Sequence, residues 1–431
     1  MQVDNSGTGK TEAAPKSLKV NFTWVVFADA FYGMSQWALI ALIIHFSSVE
    51  LAGLYTLALG LAAPFFLFFN LNLRSVQVTD QESEYTFEDY HLFRMVTSTA
   101  AFLFVAATAL VMNYEASLVW IIAIMGLVKA LEAQSDICHG LFQKKENMQY
   151  IAFSKLARGT VNVLSFFIVL MMTESLLAAL CTMAAANIIT LWLVDMKNVQ
   201  KVHRFRLADM RLSRRKLSMF RHFLLLGFPL GIAGALDVLN INIQRVIIEQ
   251  VNGLEQLGYY ASIVYIIMAG QMFIGALSQA CLPRLRTQWS GDIKQYVRLL
   301  RNLLVVSALL GAAFVLVVVM AGDVLLSVIY DESFTAYHHI FVLASIAAFF
   351  WYSGGFLNIA LLATRMFKHQ VIIYAVSFAV TAGFSLYFVS AFGITGAGWA
   401  LILGMIARTM TMTVVLVILY RKKRRSIVPA I

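Results

Sequence analysis

Residues 49–71 read VELAGLYTLALGLAAPFFLFFNL, a run of 23 residues in which Glu50 is the only charged side chain. A helix of about 20 apolar residues crosses the roughly 30 Å of hydrocarbon in a bilayer. The rest of the chain has the same character, because 60% of its 431 residues are hydrophobic and 13% are charged, against about 25% charged in a typical soluble domain. The sequence therefore predicts an all-α integral membrane protein.

Comparable apolar runs recur along the whole chain and predict twelve transmembrane helices. They lie near residues 22–46, 49–71, 94–113, 118–139, 150–172, 177–195, 222–249, 257–280, 301–321, 338–362, 371–391 and 396–420. Polar tails flank them at residues 1–21 and 421–431. All loops on one side are short, so any recognition site is expected among the helices.

The placement of the 33 Lys and Arg residues predicts the orientation. Thirty of them fall in the two tails, the even-numbered loops and the adjoining first residues of the spans that follow those loops, and the odd-numbered loops contain none. Cations in short loops stay on the cytoplasmic side of a membrane. We therefore expect both termini in the cytoplasm. The net charge of +10 is then explained by the topology and by contact with anionic membrane lipids. No nucleic acid partner is expected.

An internal repeat divides the twelve predicted helices. Asp29 precedes Gln36 by seven residues, and Asp237 precedes Gln244 by the same spacing, at an offset of 208. Just downstream, VELAGLY at the start of the second run matches LEQLGYY at residues 254–260, at an offset of 205. Two matches in the same order indicate a duplicated six-helix unit.

The repeat predicts two pseudo-symmetric halves, residues 22–195 and 222–420, around a central cavity. A cytoplasmic linker, residues 196–221, joins them and contains nine Lys and Arg. Secondary transporters built from such repeats bind their substrates near the midplane, at the interface between the repeats. The sequence therefore favours transport by alternating access.

Seven ionisable side chains lie well inside the predicted helices: Asp29, Lys129, Glu132, Asp136, Asp237, Arg245 and Arg408. A charge at a helix centre costs about 2.5–3.5 kcal/mol on insertion scales. These groups must therefore face one another or a hydrated cavity. The spacing of Lys129, Glu132 and Asp136 places them on one face of their helix.

Two interpretations of these charges stay open. In the functional one, the three cations attract an anionic substrate together with Asn240, Gln244 and Gln36, and the four acids (Asp29, Asp237, Glu132 and Asp136) exchange a proton or sodium ion. In the structural one, Glu132 neutralises Lys129, Asp237 neutralises Arg245, and the pairs only hold helices together. Because Glu249 lies four residues after Arg245, Arg408 is the cleaner substrate-binding candidate.

The remaining residues form no recognisable catalytic or metal-binding motif. The three cysteines, Cys138, Cys181 and Cys281, are far apart and lack metal-ligand spacing. No nucleophile triad or pair of catalytic carboxylates is recognisable. We expect no cofactor, no metal and no enzymatic activity.

Several segments resemble bacterial polysaccharide exporters of the multidrug/oligosaccharidyl-lipid/polysaccharide exporter superfamily. They are LGFPLGIAG at 226–234, LNINIQR at 239–245, LGYY at 257–260, ACLPRL at 280–285 and LNLRSVQVTD at 71–80. The resemblance covers nearly the whole chain. Its motifs are apolar and specify the superfamily better than the substrate.

The resemblance implies an O-antigen-type flippase in the bacterial cytoplasmic membrane. Such a protein turns an undecaprenyl-diphosphate-linked oligosaccharide across the membrane for surface polysaccharide export, and cavity cations contact the anionic substrate. A polysaccharide polymerase or other assembly proteins are the implied partners. Two other functions stay open: a cation-coupled multidrug antiporter of the same superfamily, which would be expected to use a predominantly acidic cavity, and an integral-membrane glycosyltransferase or polysaccharide polymerase.

Overall fold

The computed structural model describes residues 18–80, 85–206, 210, 214–364 and 368–427. Most of the predicted N-terminal tail, part of the predicted linker (207–209 and 211–213) and the last four residues lie outside this part of the chain. Every regular element within it is helical. The all-α prediction is confirmed.

The first half of the chain contains α1 (Leu18–Phe46), α2 (Val49–Asn70), α3 (Leu73–Thr79), α4 (Phe87–Val111), α5 (Ala116–Lys144), α6 (Met148–Thr173) and α7 (Leu176–Thr190). Helix α7 continues through a π-helical turn, Leu191–Met196, into α8 (Lys197–Val202). The second half contains α9 (Arg214–Ser290), α10 (Ile293–Ile329), a 3₁₀ helix (Glu332–Tyr337), α11 (His338–Ala363) and α12 (Lys368–Ile427).

Polar side chains determine where several helices begin. Ser48 precedes α2, and its hydroxyl accepts a hydrogen bond from the backbone N–H of Leu51 at 3.1 Å. Thr86 and Asp89 each accept from the other's backbone N–H at the start of α4. Such caps satisfy donors that the first turn of a helix leaves unpaired. The second predicted span accordingly begins at Val49, as expected.

Ten helices among the described residues are long and apolar enough to cross a membrane. Two of them, Lys216–Gly275 and His369–Arg424, contain 60 and 56 residues. Straight helices of that length would measure about 90 and 84 Å, far more than the roughly 30 Å of a hydrocarbon core. Each must therefore bend back.

The bend in α9 lies at Gly253, whose φ of 84° and ψ of 176° interrupt the helix. A positive φ is accessible to glycine because it lacks a Cβ. Across the bend, the Tyr260 hydroxyl donates to Oε1 of Gln244 at 2.6 Å, whereas a straight helix would separate these residues by about 24 Å. The two arms, 214–252 and 254–290, are therefore antiparallel.

Helix α12 bends in the same way at Gly393, which has a φ of 60°. The Ser377 hydroxyl donates to the carbonyl of Gly404 at 3.1 Å, across 27 residues. Counting the arms 368–392 and 394–427 separately, with those of α9, gives twelve segments, the predicted number. Whether each one crosses the bilayer, and which side the termini occupy, stay predictions.

Helix α2 runs antiparallel to the first arm of α9, and α2 packs against α9 as a whole more extensively than any other two elements pack together. Glycines let the backbones approach closely. A Cβ at Gly231 would lie 2.5 Å from the carbonyl oxygen of Phe68, and a Cβ at Gly60 would lie 3.0 Å from Cδ of Arg245. A third close approach, at Gly53, ends this α2–α9 seam, in the manner of small-residue packing between membrane helices.

The contact at Gly53 is reciprocal. A Cβ on Gly53 would overlap the carbonyl oxygen of Leu254, and a Cβ on Gly258 would overlap that of Val49. These two contacts exchange when each number is shifted by the repeat offset of 205. Such an exchange is the pattern of a two-fold interface, so the repeated segments pack against each other across the two halves.

The described part of the predicted linker packs on the first half. Nε2 of His203 lies 3.1 Å from a carboxylate oxygen of Glu88, and the backbone N–H of Arg206 donates to the same carboxylate at 3.2 Å. The ring of Phe205 packs edge-on against Phe87. This stretch of the linker is therefore anchored to the start of α4.

Substituting Gly53 by valine should separate the halves at the reciprocal contact, because the added methyl groups meet backbone atoms that cannot rotate away. Overpacking of this kind costs about 1–3 kcal/mol. Spin labels at Glu50→Cys and Glu255→Cys, in a chain without its three native cysteines, should report one short distance that lengthens in Gly53→Val. Gly383→Val is the control, since a Cβ there meets nothing within 4 Å. An unchanged distance in Gly53→Val would refute the packing role.

Candidate functional site

A cavity of about 430 Å³ lies between the halves, where α2 and α5 face both arms of α9. Its polar lining consists of Asn70, Lys129, Glu132, Asp136, Asn242, Arg245 and Tyr265. Apolar side chains such as Leu59, Phe66 and Met268 complete the wall. Four of the seven predicted intramembrane charges therefore share one cavity at the interface between the repeats.

Lys129 and Glu132 form an ion pair in this cavity. Nζ of Lys129 lies 2.9 Å from Oε2 of Glu132, and each side chain is 19% exposed. The Tyr32 hydroxyl of α1 donates to the other oxygen of Glu132 at 2.8 Å. The structural pairing proposed from the sequence is therefore present, and it ties α5 to α1.

Asp136 pairs with two arginines, one in and one beside a loop that the sequence predicts to be cytoplasmic. Nη1 of Arg74 lies 3.2 Å from Oδ1 of Asp136, and Nη2 of Arg94 lies 3.6 Å from Oδ2. The Arg94 side chain is only 1% exposed. The carboxylate thus joins α3, α4 and α5 at one corner of the cavity.

Arg245 differs from the other cations of the cavity. Nη1 donates to the backbone carbonyl of Thr56 at 3.2 Å, and the guanidinium lies 5.1 Å from the ring centroid of Tyr265. Within the described ranges, no carboxylate lies within ion-pair distance of it. Glu249, which the sequence suggested as a possible partner of Arg245, accepts instead a hydrogen bond from the Tyr114 hydroxyl at 3.0 Å.

The charges at the cavity sum to a positive excess. Two cations (Lys129 and Arg245) and two carboxylates (Glu132 and Asp136) line the cavity itself. Arg74 and Arg94 do not line it but pair with Asp136, so the lining charges and their ion-pair partners together leave two positive charges. Arg74 and Arg94 act through their contact with Asp136. A low-dielectric wall strengthens such a field, so the cavity is suited to an anion.

Arg408 and Asp237 lie outside the lining of this cavity. Nη1 of Arg408 lies 2.7 Å from Oδ1 of Asp237, joining the second arm of α12 to the first arm of α9. The guanidinium also lies 4.9 Å from the ring centroid of Tyr374. The pairing of Asp237 with Arg245 expected in the structural interpretation is wrong, because Asp237 faces Arg408. The geometry thus favours Arg245, which lines the cavity and has no carboxylate partner among the described residues, over Arg408 as the substrate-binding cation.

The three predicted polar substrate contacts also lie away from the cavity lining. Asn240 is fully buried and donates to the Ser377 hydroxyl at 2.7 Å. Gln244 is fully buried and donates to the carbonyl of Ala397 at 2.9 Å. Gln36 has a buried amide nitrogen with no hydrogen-bond partner among the described residues. The contacts of Asn240 and Gln244 hold α9 against α12, so a substrate-binding role for either is a prediction without geometric support.

Asp29 contacts Lys155 of α6, and its side chain is 48% exposed. Nearby, Nη2 of Arg158 lies 3.0 Å from Oδ2 of Asp195, and both side chains are at most 5% exposed. Arg158 also donates to the hydroxyl of Ser135. This buried pair joins α5, α6 and the π-helical turn.

The sequence did not predict these buried partners, because Lys155 and Arg158 lie near the start of their predicted span, next to a loop that is expected to be cytoplasmic. Asp195 falls on the last residue of a predicted span. Hydropathy alone cannot distinguish a cation whose side chain reaches the membrane surface from one whose side chain points into the helix bundle. The only indication in the sequence was that carboxylates outnumber cations well inside the predicted spans, since each buried carboxylate requires a cationic partner.

Comparison with known proteins identifies the family. The model of the family described as "Polysaccharide biosynthesis protein" matches residues 48–288, more than half of the chain. The chain belongs to this polysaccharide biosynthesis protein family. A relative, the capsular polysaccharide biosynthesis protein CapF of Staphylococcus aureus, is 25% identical over 349 residues, which cover 81% of this chain and 86% of CapF.

Solved structures show which fold this family member has. An inward-facing multidrug resistance transporter of the MATE family, in the MOP superfamily, superposes with a TM-score of 0.71 at 11% identity, over 94% of this chain and 97% of that one. The lipid II flippase MurJ, in an inward closed conformation, superposes with a TM-score of 0.70 at 13% identity, over 92% and 87%. The chain therefore has the fold of these transporters.

Removing the buried carboxylate of Asp195 should destabilise the protein strongly. Asp195→Asn leaves the guanidinium of Arg158 buried without a counter-charge, which costs about 3–5 kcal/mol. We expect a lower unfolding temperature of the purified protein in detergent. The double variant Arg158→Met/Asp195→Leu should recover most of the loss, because it removes both charges. If the double variant were as unstable as the single one, a role beyond charge pairing would be indicated.

Proposed function

We propose that this protein flips a lipid-linked oligosaccharide, carried on undecaprenyl diphosphate, across the bacterial cytoplasmic membrane for surface polysaccharide export. The observation that supports this most directly is the positive excess of the charges that line the cavity between the halves, counted together with their ion-pair partners. A diphosphate diester carries one negative charge on each phosphate, which matches that excess. The family membership and the CapF relative point to the same substrate class.

The architecture supports transport rather than bond-forming chemistry. The cavity lies at the interface between two repeats, which is where secondary transporters bind substrates. Rocking of the two halves would expose the cavity to each side in turn. Both termini are proposed to lie in the cytoplasm, on the strength of the charge distribution.

A cation-coupled multidrug antiporter is the second candidate, and the MATE-like fold is the observation in its favour. A mainly cationic drug would be attracted by a predominantly acidic cavity. Here Lys129 already neutralises Glu132, and two arginines neutralise Asp136. Electrostatics therefore favour the flippase.

A glycosyltransferase or polymerase, the third candidate, would form glycosidic bonds when the purified protein is given activated sugars.

Arg245→Ala should abolish most of the flipping activity. The test is a proteoliposome assay with a fluorescent undecaprenyl-diphosphate-linked oligosaccharide, in which a membrane-impermeant quencher reports the fraction in the outer leaflet. A hydrogen bond to a charged group contributes about 1.5–3 kcal/mol, so we expect the rate to fall roughly tenfold to hundredfold. Arg245→Lys keeps the charge and should retain part of the rate.

Two controls make this assay decisive. Arg421→Ala removes an exposed cation far from the cavity and should leave the rate unchanged. A cationic dye should not be exported by the same proteoliposomes under a proton or sodium gradient. Wild-type protein that exports the dye but never flips the lipid would establish the antiporter instead.

Arg408 and Asp237 should behave as a structural pair. Arg408→Ala alone leaves the Asp237 carboxylate without its partner at 2.7 Å, so the yield of folded protein and the export of polysaccharide should both fall. The double variant Arg408→Met/Asp237→Leu should regain folded protein and flip the lipid at a near wild-type rate. Folded double variant without flipping would instead support direct substrate or ion binding at this pair, as the sequence predicted.

A further inference from the structure

A second, apolar cavity of about 480 Å³ lies on the opposite side of the α2–α9 seam from the charged one. Phenylalanines of α2 and α4 dominate its wall: the ring of Phe104 lies 6.2 Å from that of Phe65 and 5.3 Å from that of Phe69, between centroids. Leu239 and Ile243 of α9 form the facing wall. Phe104 is 53% exposed, so this groove opens towards the membrane.

The two cavities meet at one point of the seam. Asn242 lines both of them, and Gly60 lines the apolar one. A Cβ on Gly60 would lie 3.1 Å from Oδ1 of Asn242 and 3.0 Å from Cδ of Arg245. Only a glycine and one amide therefore separate the apolar groove from the cation that has no carboxylate partner in the described chain.

The backbone of α2 is also weakened at this point. Pro64 lies inside the helix, and a proline has no N–H to donate to the carbonyl four residues earlier. That carbonyl belongs to Gly60. Helices with such an interruption deform more readily than continuous ones, so the seam is easiest to part where the two cavities adjoin.

We propose that the apolar groove holds the polyprenyl chain of the substrate while the charged cavity holds its diphosphate and sugars. The α2–α9 seam at Gly60 and Asn242 then acts as the lateral gate across which the molecule lies. An amphiphile with an anionic head and a hydrocarbon tail is the ligand class that matches one cationic and one aromatic cavity in contact. This inference rests on the proposed function and specifies its second binding site.

A photo-crosslinking experiment tests the groove. A benzophenone-bearing phenylalanine replaces Phe104 in an otherwise wild-type protein. This protein is reconstituted into liposomes together with tritiated undecaprenyl-diphosphate-linked monosaccharide. Illumination should attach the label to the protein, and an excess of the same unlabelled lipid should suppress the adduct, whereas an equal excess of phosphatidylglycerol should not. Phe384, a 40% exposed residue of α12, carries the benzophenone in the matched control and should give little competed adduct.

The head and the tail should be coupled. Arg245→Ala should lower the adduct at position 104 without changing background labelling at position 384, because the head no longer anchors the tail in the groove. Gly60→Val should obstruct the gate and lower flipping by about tenfold or more. Gly383→Val, where a Cβ has open space, is its control.

The outcomes separate this inference from the proposed function. The wild type could flip the lipid while positions 104 and 384 are labelled equally, or while the unlabelled lipid fails to suppress labelling at position 104. Either result would refute binding of the polyprenyl chain in the groove and would leave the proposed flippase function intact. Unimpaired flipping by folded Gly60→Val would overturn the gate. Suppression by phosphatidylglycerol would identify the groove as an ordinary lipid contact. Absence of flipping in the wild type would overturn the proposed function itself.

Discussion

The close approach of α2 to the first arm of α9 is the contact on which the rest of the structure depends. Gly53 and Gly231 bring backbone against backbone along this seam, and Gly60 leaves room for the side chains of Arg245 and Asn242. The seam separates a charged cavity from an aromatic one. Between helices in lipid the hydrophobic effect contributes little, so packing of this kind carries the association. Bulky residues at Gly53 or Gly231 would move the halves apart.

Pairing of buried charges is the second constraint. Each intramembrane carboxylate at the cavity has a cationic partner, and Arg158 with Asp195 shows the same rule in the body of the first half. Such pairs gain little net stability, because desolvation offsets their attraction. Their effect is to fix which helix faces which. Arg245 departs from this rule, with a carbonyl and an aromatic ring as its neighbours, and this is what makes it suited to a ligand.

Much of this arrangement could be predicted from the sequence, and the limits have physical causes. Helix content follows from hydropathy because lipid leaves the backbone no other way to satisfy its hydrogen bonds. The shared face of Lys129, Glu132 and Asp136 follows from helical periodicity. The partners of Asp237 and Asp136 did not follow, since Arg408 and Arg94 are reached only through the packing of distant helices. The apolar groove could not be predicted, because the sequence does not distinguish phenylalanines that face a groove from phenylalanines that face lipid.

The reciprocal contact of Gly53 and Gly258 has a thermodynamic consequence. A seal made by interlocking leucine or isoleucine side chains would lose about 0.5–1 kcal/mol of rotamer entropy for each residue that it orders. Glycine has no side chain to order, and its neighbours there are mainly backbone carbonyls. Joining and parting at this place therefore change the conformational entropy little, so side-chain ordering adds little temperature dependence to the free-energy difference between the joined and parted arrangements.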